Sequence, residues 1–106
     1  MDFQQLCTRA LEIRGLYGQL EEKNYGKQWT PEQTAHGFVG DVGDLMKLVL
    51  AKSGVRPTDN LDEKLAHELS DCLWSIMVLA HEYGVDLEPS FLHTMDELEA
   101  RVKSQL

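Results

Sequence analysis

Basic residues are scarce in this sequence. Ten lysines and arginines stand against 18 aspartates and glutamates, and the net charge is −8. Such an acidic chain is repelled by phosphate backbones and by anionic membrane surfaces, so we expect neither nucleic acid nor a membrane as partner. The charge does not exclude nucleotides, because a divalent cation can lie between phosphate and carboxylate.

Cysteines and long apolar runs are also few. Cys7 and Cys72 form no CxxC motif, and both fall within apolar helical patterns, which predicts buried free thiols. No apolar stretch has the length of a membrane span. The stretch Met1–Gln4 has no basic region followed by an apolar run, so we expect no signal peptide and a cytoplasmic protein.

Apolar residues make up 42% of the 106 residues, which is enough for the packed core of one domain spanning 1–106. Their spacing of three and four predicts helices, and no segment alternates as a strand does. The fold class we predict is all-α, a four-helix bundle-like subunit. Capping signals and glycines place the helices from about Asp2 to Glu22, from the N-cap Thr30 to about Ser53, from the N-cap Asn60 to Gly84, and from the N-cap Asp86 to near Gln105.

The third predicted helix contains nine consecutive uncharged residues, Cys72–Ala80. At 100° per residue these cover every side of the helix, and a helix that is apolar all round is buried all round. Four helices of one small chain can hardly enclose one of their own members. We therefore predict a homo-oligomer in which a second subunit covers the rest of this helix.

Two acidic pairs occur on consecutive predicted helices. Asp41 and Asp44 are three residues apart, as are Glu68 and Asp71, so each pair points from one side of its helix. An antiparallel hairpin can bring the pairs face to face. Four converging carboxylates would repel each other and lose hydration unless they protonate or bind cations. Hard oxygen ligands favour Mg²⁺, with Mn²⁺ as an alternative, and Mg²⁺ is commonly completed by phosphate oxygens. The other interpretation is that each pair is a solvated face.

The segments WTPEQTAHGFVGDVGDLMKLVLAKSG and LAHELSDCLWSIMVLAHEYGVDL resemble the MazG-like nucleoside triphosphate pyrophosphohydrolases, whose signature is an E-x-x-E helix followed by E-x-x-D. The resemblance implies that Asp41, Asp44, Glu68 and Asp71 are magnesium ligands. It also implies cleavage of a nucleoside triphosphate between the α and β phosphates, and subunits that form dimers or tetramers.

Two departures from the family pattern stand out. Aspartates replace the two glutamates of the first pair, and Gly37 and Gly40 on the neighbouring surface would let metal and phosphates approach the backbone. Close helix packing is the other explanation of these glycines. The last helix, where members often carry basic residues, has only Arg101 and Lys103. These departures leave the number of metal ions and the catalytic rate open.

Within the predicted site we assign catalytic roles to Glu68 and Asp71, and we choose Glu68 as the ligand that would also orient or deprotonate the attacking water. Trp29 would stack on the nucleobase, or else pack as a hydrophobic staple on the second helix. Lys27 is a candidate phosphate contact and His36 a candidate substrate contact, and solvated side chains are the alternative for both. The runner-up function, motivated by the aspartate replacements, is a non-catalytic helical module that binds metal, nucleotide or protein.

Overall fold

The computed structural model describes all residues, 1–106, as four α-helices without a strand, which confirms the all-α prediction. No helix has both the length and the apolar character that crossing a membrane requires. In chain order the helices are α1 (Phe3–Tyr25), α2 (Pro31–Lys52), α3 (Leu61–Glu82) and α4 (Leu87–Lys103).

Helix α2 begins as its sequence predicts. The Thr30 side chain accepts a hydrogen bond from the Gln33 backbone N–H, and the Gln33 side chain accepts one from the Thr30 N–H, which together form a capping box. Asn60 does not cap α3 in this manner, and that prediction was wrong. Its backbone has a φ of 54° in the left-handed region, and its side chain makes no capping hydrogen bond.

Helix α1 is longer than predicted. The polar residues after Glu22 continue the helix to Tyr25, and the chain turns only at Gly26, whose φ of 78° is readily adopted by glycine. The link to α2 is consequently short. It therefore holds Trp29 close to both helices.

Helices α2 and α3 form an antiparallel hairpin, and α1 packs across α3. The Trp74 side chain of α3 joins α1: its Nε1–H donates to the Ala10 carbonyl at 2.9 Å, and its ring lies 5.6 Å from that of Tyr17. The core is thin, with five buried hydrophobic residues: Ala10, Ala51, Cys72, Met77 and Val78. Both cysteines are free thiols, Cys72 buried and Cys7 half-buried.

Helix α4 does not close a four-helix bundle within the chain. Every residue from Glu88 to Leu106 is exposed. A hydrogen bond from Gln4 Nε2 to Glu88 Oε2, 3.3 Å long, joins its first turn to the start of α1. One chain therefore packs three helices together and leaves the fourth without a partner surface, which is where the bundle prediction departs from the structure.

The uncharged run on α3 is only partly covered within the chain. Cys72, Met77 and Val78 are buried, while Leu73 and Ile76 are 48% and 40% exposed. These two side chains lie on the surface of α3 that neither α1 nor α2 covers.

Candidate metal centre

The seam between α2 and α3 is polar at its middle. Along α2, Gly37, Asp41, Asp44 and Leu48 recur at spacings of three and four, so they occupy one face of the helix. That face is turned towards α3. Asp41 therefore lies in the helix contact and is half-buried, whereas Asp44 is exposed at its edge.

Three of the four predicted ligands come together across this seam. Carboxylate oxygens of Asp41, Asp44 and Glu68 all lie within 4.8 Å of one another. Asp71, one turn along α3, belongs to an adjoining group with Glu68 and His67 that meets the same limit. Glu68 is common to both groups and is thus the central carboxylate of the cluster.

His67 is a neighbour that the sequence analysis did not assign to the site. Its Nε2 lies 3.1 Å from Asp71 Oδ2. The signal was present in the sequence, since His67 precedes Asp71 by four residues and therefore shares its side of α3. The His67 side chain is 70% exposed while in contact with Asp71.

Burial makes the charge at this cluster costly. Burial first, and then the negative charges of Asp71, Asp41 and Asp44, raise the pKa of Glu68 above its ordinary value. Burial, with Asp71 and Asp44, likewise raises the pKa of Asp41. Both shifts have the direction expected for carboxylates that share a site without a counter-ion.

The side chains fit a hard divalent cation. Glu68 Oε2 is buried and has no hydrogen-bond partner, so an acceptor lone pair is left for a ligand. The three clustered side chains supply only carboxylate oxygens, the donors that Mg²⁺ and Mn²⁺ prefer. Asp44 is the most accessible of them, with its side chain 59% exposed.

A cavity of about 420 Å³ adjoins the carboxylates. We name it the aromatic cavity, because four aromatic side chains line it together with Asp41 and Asp71: Tyr17, Tyr25, Trp29 and Trp74. Aromatic side chains of this kind offer faces on which a planar ring can stack. The carboxylate wall of the cavity places such a ring beside the candidate metal centre.

Trp29 is held at the edge of this cavity by two features. Its ring lies on Gly37, where a Cβ atom would come within 3.2 Å of Trp29 Cζ3, so glycine makes room for the ring. Its backbone N–H donates to Glu21 Oε1 at 2.7 Å. Glu21 is in turn held by Arg14 through two hydrogen bonds of 2.9 and 3.0 Å.

The Glu21 carboxylate remains ionised although it is buried. Burial alone would raise its pKa, but the hydrogen bonds from Arg14 and from the Trp29 N–H, with the Arg14 charge, lower it overall. Arg14 and Glu21 were not assigned from the sequence. They are seven residues apart on α1 and so share a face, but only the packing of α1 on α3 brings that face to the cavity.

Thr34 contributes an unsatisfied polar group to the same cavity. Its Oγ1 is buried and has no hydrogen-bond partner, and the residue is only 9% exposed. Buried hydroxyl groups in folded proteins are nearly always paired. This hydroxyl is therefore a ready partner for a polar atom of a bound ligand.

The other predicted substrate residues lie apart from the aromatic cavity. Lys27 and His36 are exposed, and neither lines it. Gly40 and Gly43 face open space, with no atom within 4 Å of an added Cβ. Close helix packing within the chain therefore does not explain Gly40, and Gly37 is explained by the Trp29 ring.

The chain matches no protein-family model, no curated protein and no solved structure.

Proposed function

We propose that the protein is a MazG-like, Mg²⁺-dependent nucleotide pyrophosphohydrolase that converts a nucleoside triphosphate into the monophosphate and pyrophosphate. The observation that carries the proposal is the continuity between the aromatic cavity and the carboxylate cluster, since Asp41 and Asp71 line the cavity. A nucleotide needs both features, a flat site for its base and a cation site for its phosphates. A role in removing unwanted nucleotides from the pool belongs to the same proposal.

Asp41, Asp44, Glu68 and Asp71 would hold the cation. Bound Mg²⁺ would neutralise phosphate charge and make water a better nucleophile. Trp29 stacks on the base, and the Thr34 hydroxyl hydrogen-bonds to a polar atom of the nucleoside. These contacts fix the α-phosphorus beside Glu68 and Asp71.

The reaction is a hydrolysis of the α–β phosphoanhydride. The water oxygen forms a bond to the α-phosphorus, and the bond from that phosphorus to the bridging oxygen breaks. Its electron pair leaves with pyrophosphate, and a water proton passes to Glu68 or Asp71.

A panel of canonical and modified nucleoside triphosphates tests the proposal. Each is incubated with Mg²⁺, and pyrophosphate is detected as phosphate after treatment with inorganic pyrophosphatase. We expect pyrophosphate release from at least one nucleotide, and its loss in Glu68→Gln. The absence of turnover across the panel would contradict the enzyme proposal.

The alternative is a non-catalytic module of the same fold that binds metal or nucleotide. One observation favours it: Asp44 is shorter than glutamate and largely exposed, so it reaches less far into the seam. Nucleotide binding that requires Mg²⁺, without pyrophosphate release, would support this alternative.

We also propose that the protein is a homo-oligomer, with a dimer as the smallest unit. Its accessible surface is 8107 Å², whereas a compact monomer of 12.0 kDa exposes only about 6,000 Å². The radius of gyration is 16.9 Å, compared with about 13 Å for a compact domain of this length. The excess surface is of the size that an obligate dimer buries.

The apolar surface to be covered runs along two helices. On α4 the exposed side chains Phe91, Met95, Leu98 and Val102 form one stripe, and on α3 Leu69, Leu73 and Ile76 form another. Sedimentation velocity at micromolar concentration should give a dimer or larger species, and a stable monomer would contradict this proposal. A cytoplasmic location fits the two free thiols.

A further inference from the structure

A second cavity, of about 500 Å³, lies where the α2–α3 hairpin closes. Lys47, Arg56 and Lys64 are among its lining residues, and no acidic residue lines it. In a chain with 18 acidic and 10 basic side chains, three cations around one cavity without a carboxylate are unusual. We name this the basic cavity.

The basic cavity continues the same seam as the candidate metal centre. On α2, Gly37 and Asp41 line the aromatic cavity, whereas Leu48 and Ala51, further along the same face, line the basic cavity. On α3, Lys64 lies one turn before Glu68 and shares its face. The carboxylates therefore lie between the aromatic cavity on one side and the basic cavity on the other.

The basic side chains of this cavity start directly beside the carboxylates of the candidate metal centre. Lys47 Nζ lies 3.9 Å from Asp44 Oδ1, so the two sites meet at this pair. Lys64 Nζ donates to Thr58 Oγ1 at 3.0 Å, which holds the ammonium group in the cavity and leaves its other hydrogens for a ligand. Arg56 makes no salt bridge within the chain, so its guanidinium is free for an anion.

We propose that the basic cavity binds the terminal phosphates of the substrate and then the departing pyrophosphate. The inference rests on the proposed function. It assigns a binding site to the terminal phosphates, which the carboxylates do not hold. A polyphosphate tail is the ligand that the seam suits, because its first phosphate can lie at the carboxylates while its end reaches Lys47 and Lys64. A monophosphate is too short to occupy both sites, so the product loses these contacts.

Pyrophosphate binding measured by calorimetry in Mg²⁺ tests the inference directly. The variant Arg56→Gln/Lys64→Gln should bind pyrophosphate at least about tenfold more weakly than wild type, since charge-assisted hydrogen bonds to phosphate are lost. The matched control is Lys52→Gln. Lys52 is at the same end of the hairpin but forms a 2.7 Å ion pair with Asp62 and does not line the cavity. It should bind pyrophosphate as wild type does.

Three outcomes would overturn the inference. They are equal binding by wild type and the double variant, no binding to wild type at millimolar pyrophosphate, or inorganic phosphate binding as tightly as pyrophosphate. Thermal melts of each variant establish that it is folded.

The nucleotide panel separates this inference from the proposed function. If no nucleotide is hydrolysed but pyrophosphate binding depends on Arg56 and Lys64, the basic cavity is upheld and the enzyme proposal fails. If nucleotides are hydrolysed and the double variant has an unchanged KM and unchanged inhibition by pyrophosphate, the enzyme proposal is upheld and the basic cavity is overturned.

Discussion

Glu68 is the side chain on which the site depends most. It belongs to both ligand groups, one of its oxygens is buried without a partner, and its pKa is raised by burial and by the surrounding carboxylates. Without metal, a charged carboxylate that is buried, unpaired and surrounded by other carboxylates destabilises the folded state at neutral pH. A cation bound at this position would remove the unfavourable free energy of that buried charge.

The pH dependence of the metal-free protein follows from this. A carboxyl group whose pKa is higher in the folded than in the unfolded state favours folding below its ordinary pKa, which is 4.5 for Glu68, and that contribution is lost as the pH rises through the folded pKa. Metal-free Glu68→Gln should therefore be more stable than wild type at pH 7, with a smaller difference near pH 4.5. Urea denaturation in chelator across this range measures it, and a variant less stable at pH 7 would contradict the account.

Glu21 should behave in the opposite way, because its pKa is lowered. Its contribution to stability is present above its ordinary pKa of 4.5 and is lost as the pH falls through the lower folded value. Glu21→Gln at pH 7 should cost about 1–3 kcal/mol, since the largely buried Arg14 guanidinium loses its nearer charged partner and keeps only Glu82, 3.9 Å away. Urea denaturation measures this cost.

Glu12→Gln is the matched control, because Glu12 pairs with Arg9 on the exposed face of the same helix. It should cost less than about 1 kcal/mol. Equal losses in the two variants would mean that Glu21 has no special role in holding the link before α2.

The helices differ in how far the sequence alone predicts them. Thr30, Pro31 and Gln33 determine the start of α2 by local hydrogen bonds, so the prediction there was correct. Asn60 has a typical capping side chain, yet the loop from α2 imposes a left-handed backbone that prevents the cap. Asp86 precedes α4 with an extended backbone and yet makes no capping hydrogen bond either, so a capping residue type marks where a helix starts without ensuring the bond.

The residues of the candidate site also differ in how far the sequence alone predicts them. The i, i+3 spacing within each pair predicted that the pairs face each other, and Asp41, Asp44 and Glu68 do lie within 4.8 Å of one another, whereas Asp71 groups with Glu68 and His67. Arg14 could not be predicted, because its place at the aromatic cavity depends on how α1 crosses α3. That crossing is set by contacts between residues far apart in sequence, such as Trp74 with Ala10.

Helix α4 gives an element-scale prediction. If its apolar stripe is an interface between subunits, Leu98→Glu should shift the protein towards monomer, because a buried carboxylate replaces a leucine. Ala100→Glu adds the same charge on the opposite, exposed side of the helix and should leave the assembly unchanged. Sedimentation velocity distinguishes them, and equal behaviour of both variants would exclude the stripe as an interface.

The molecule as a whole is open for its size. Nine of 106 residues are buried, and 8107 Å² of surface is accessible. A core this small contributes little stability to an isolated chain. We therefore expect folding and assembly to be coupled. The melting temperature should then rise with protein concentration. The carboxylate cluster is less dependent on assembly, because the α2–α3 hairpin forms it within one chain.

The central claim is that these carboxylates form a divalent-metal site, and thermal melts with and without Mg²⁺ test it most directly. A ligand that binds only the folded state stabilises it by about 2.7 kcal/mol at a hundredfold excess over its Kd. Mg²⁺ should raise the melting temperature of wild type and of the control Asp96→Asn on α4 by equal amounts, and that of Asp71→Asn much less. Without metal, Asp71→Asn should be as stable as wild type or slightly more so. Equal Mg²⁺-induced shifts in all three proteins would contradict the metal site.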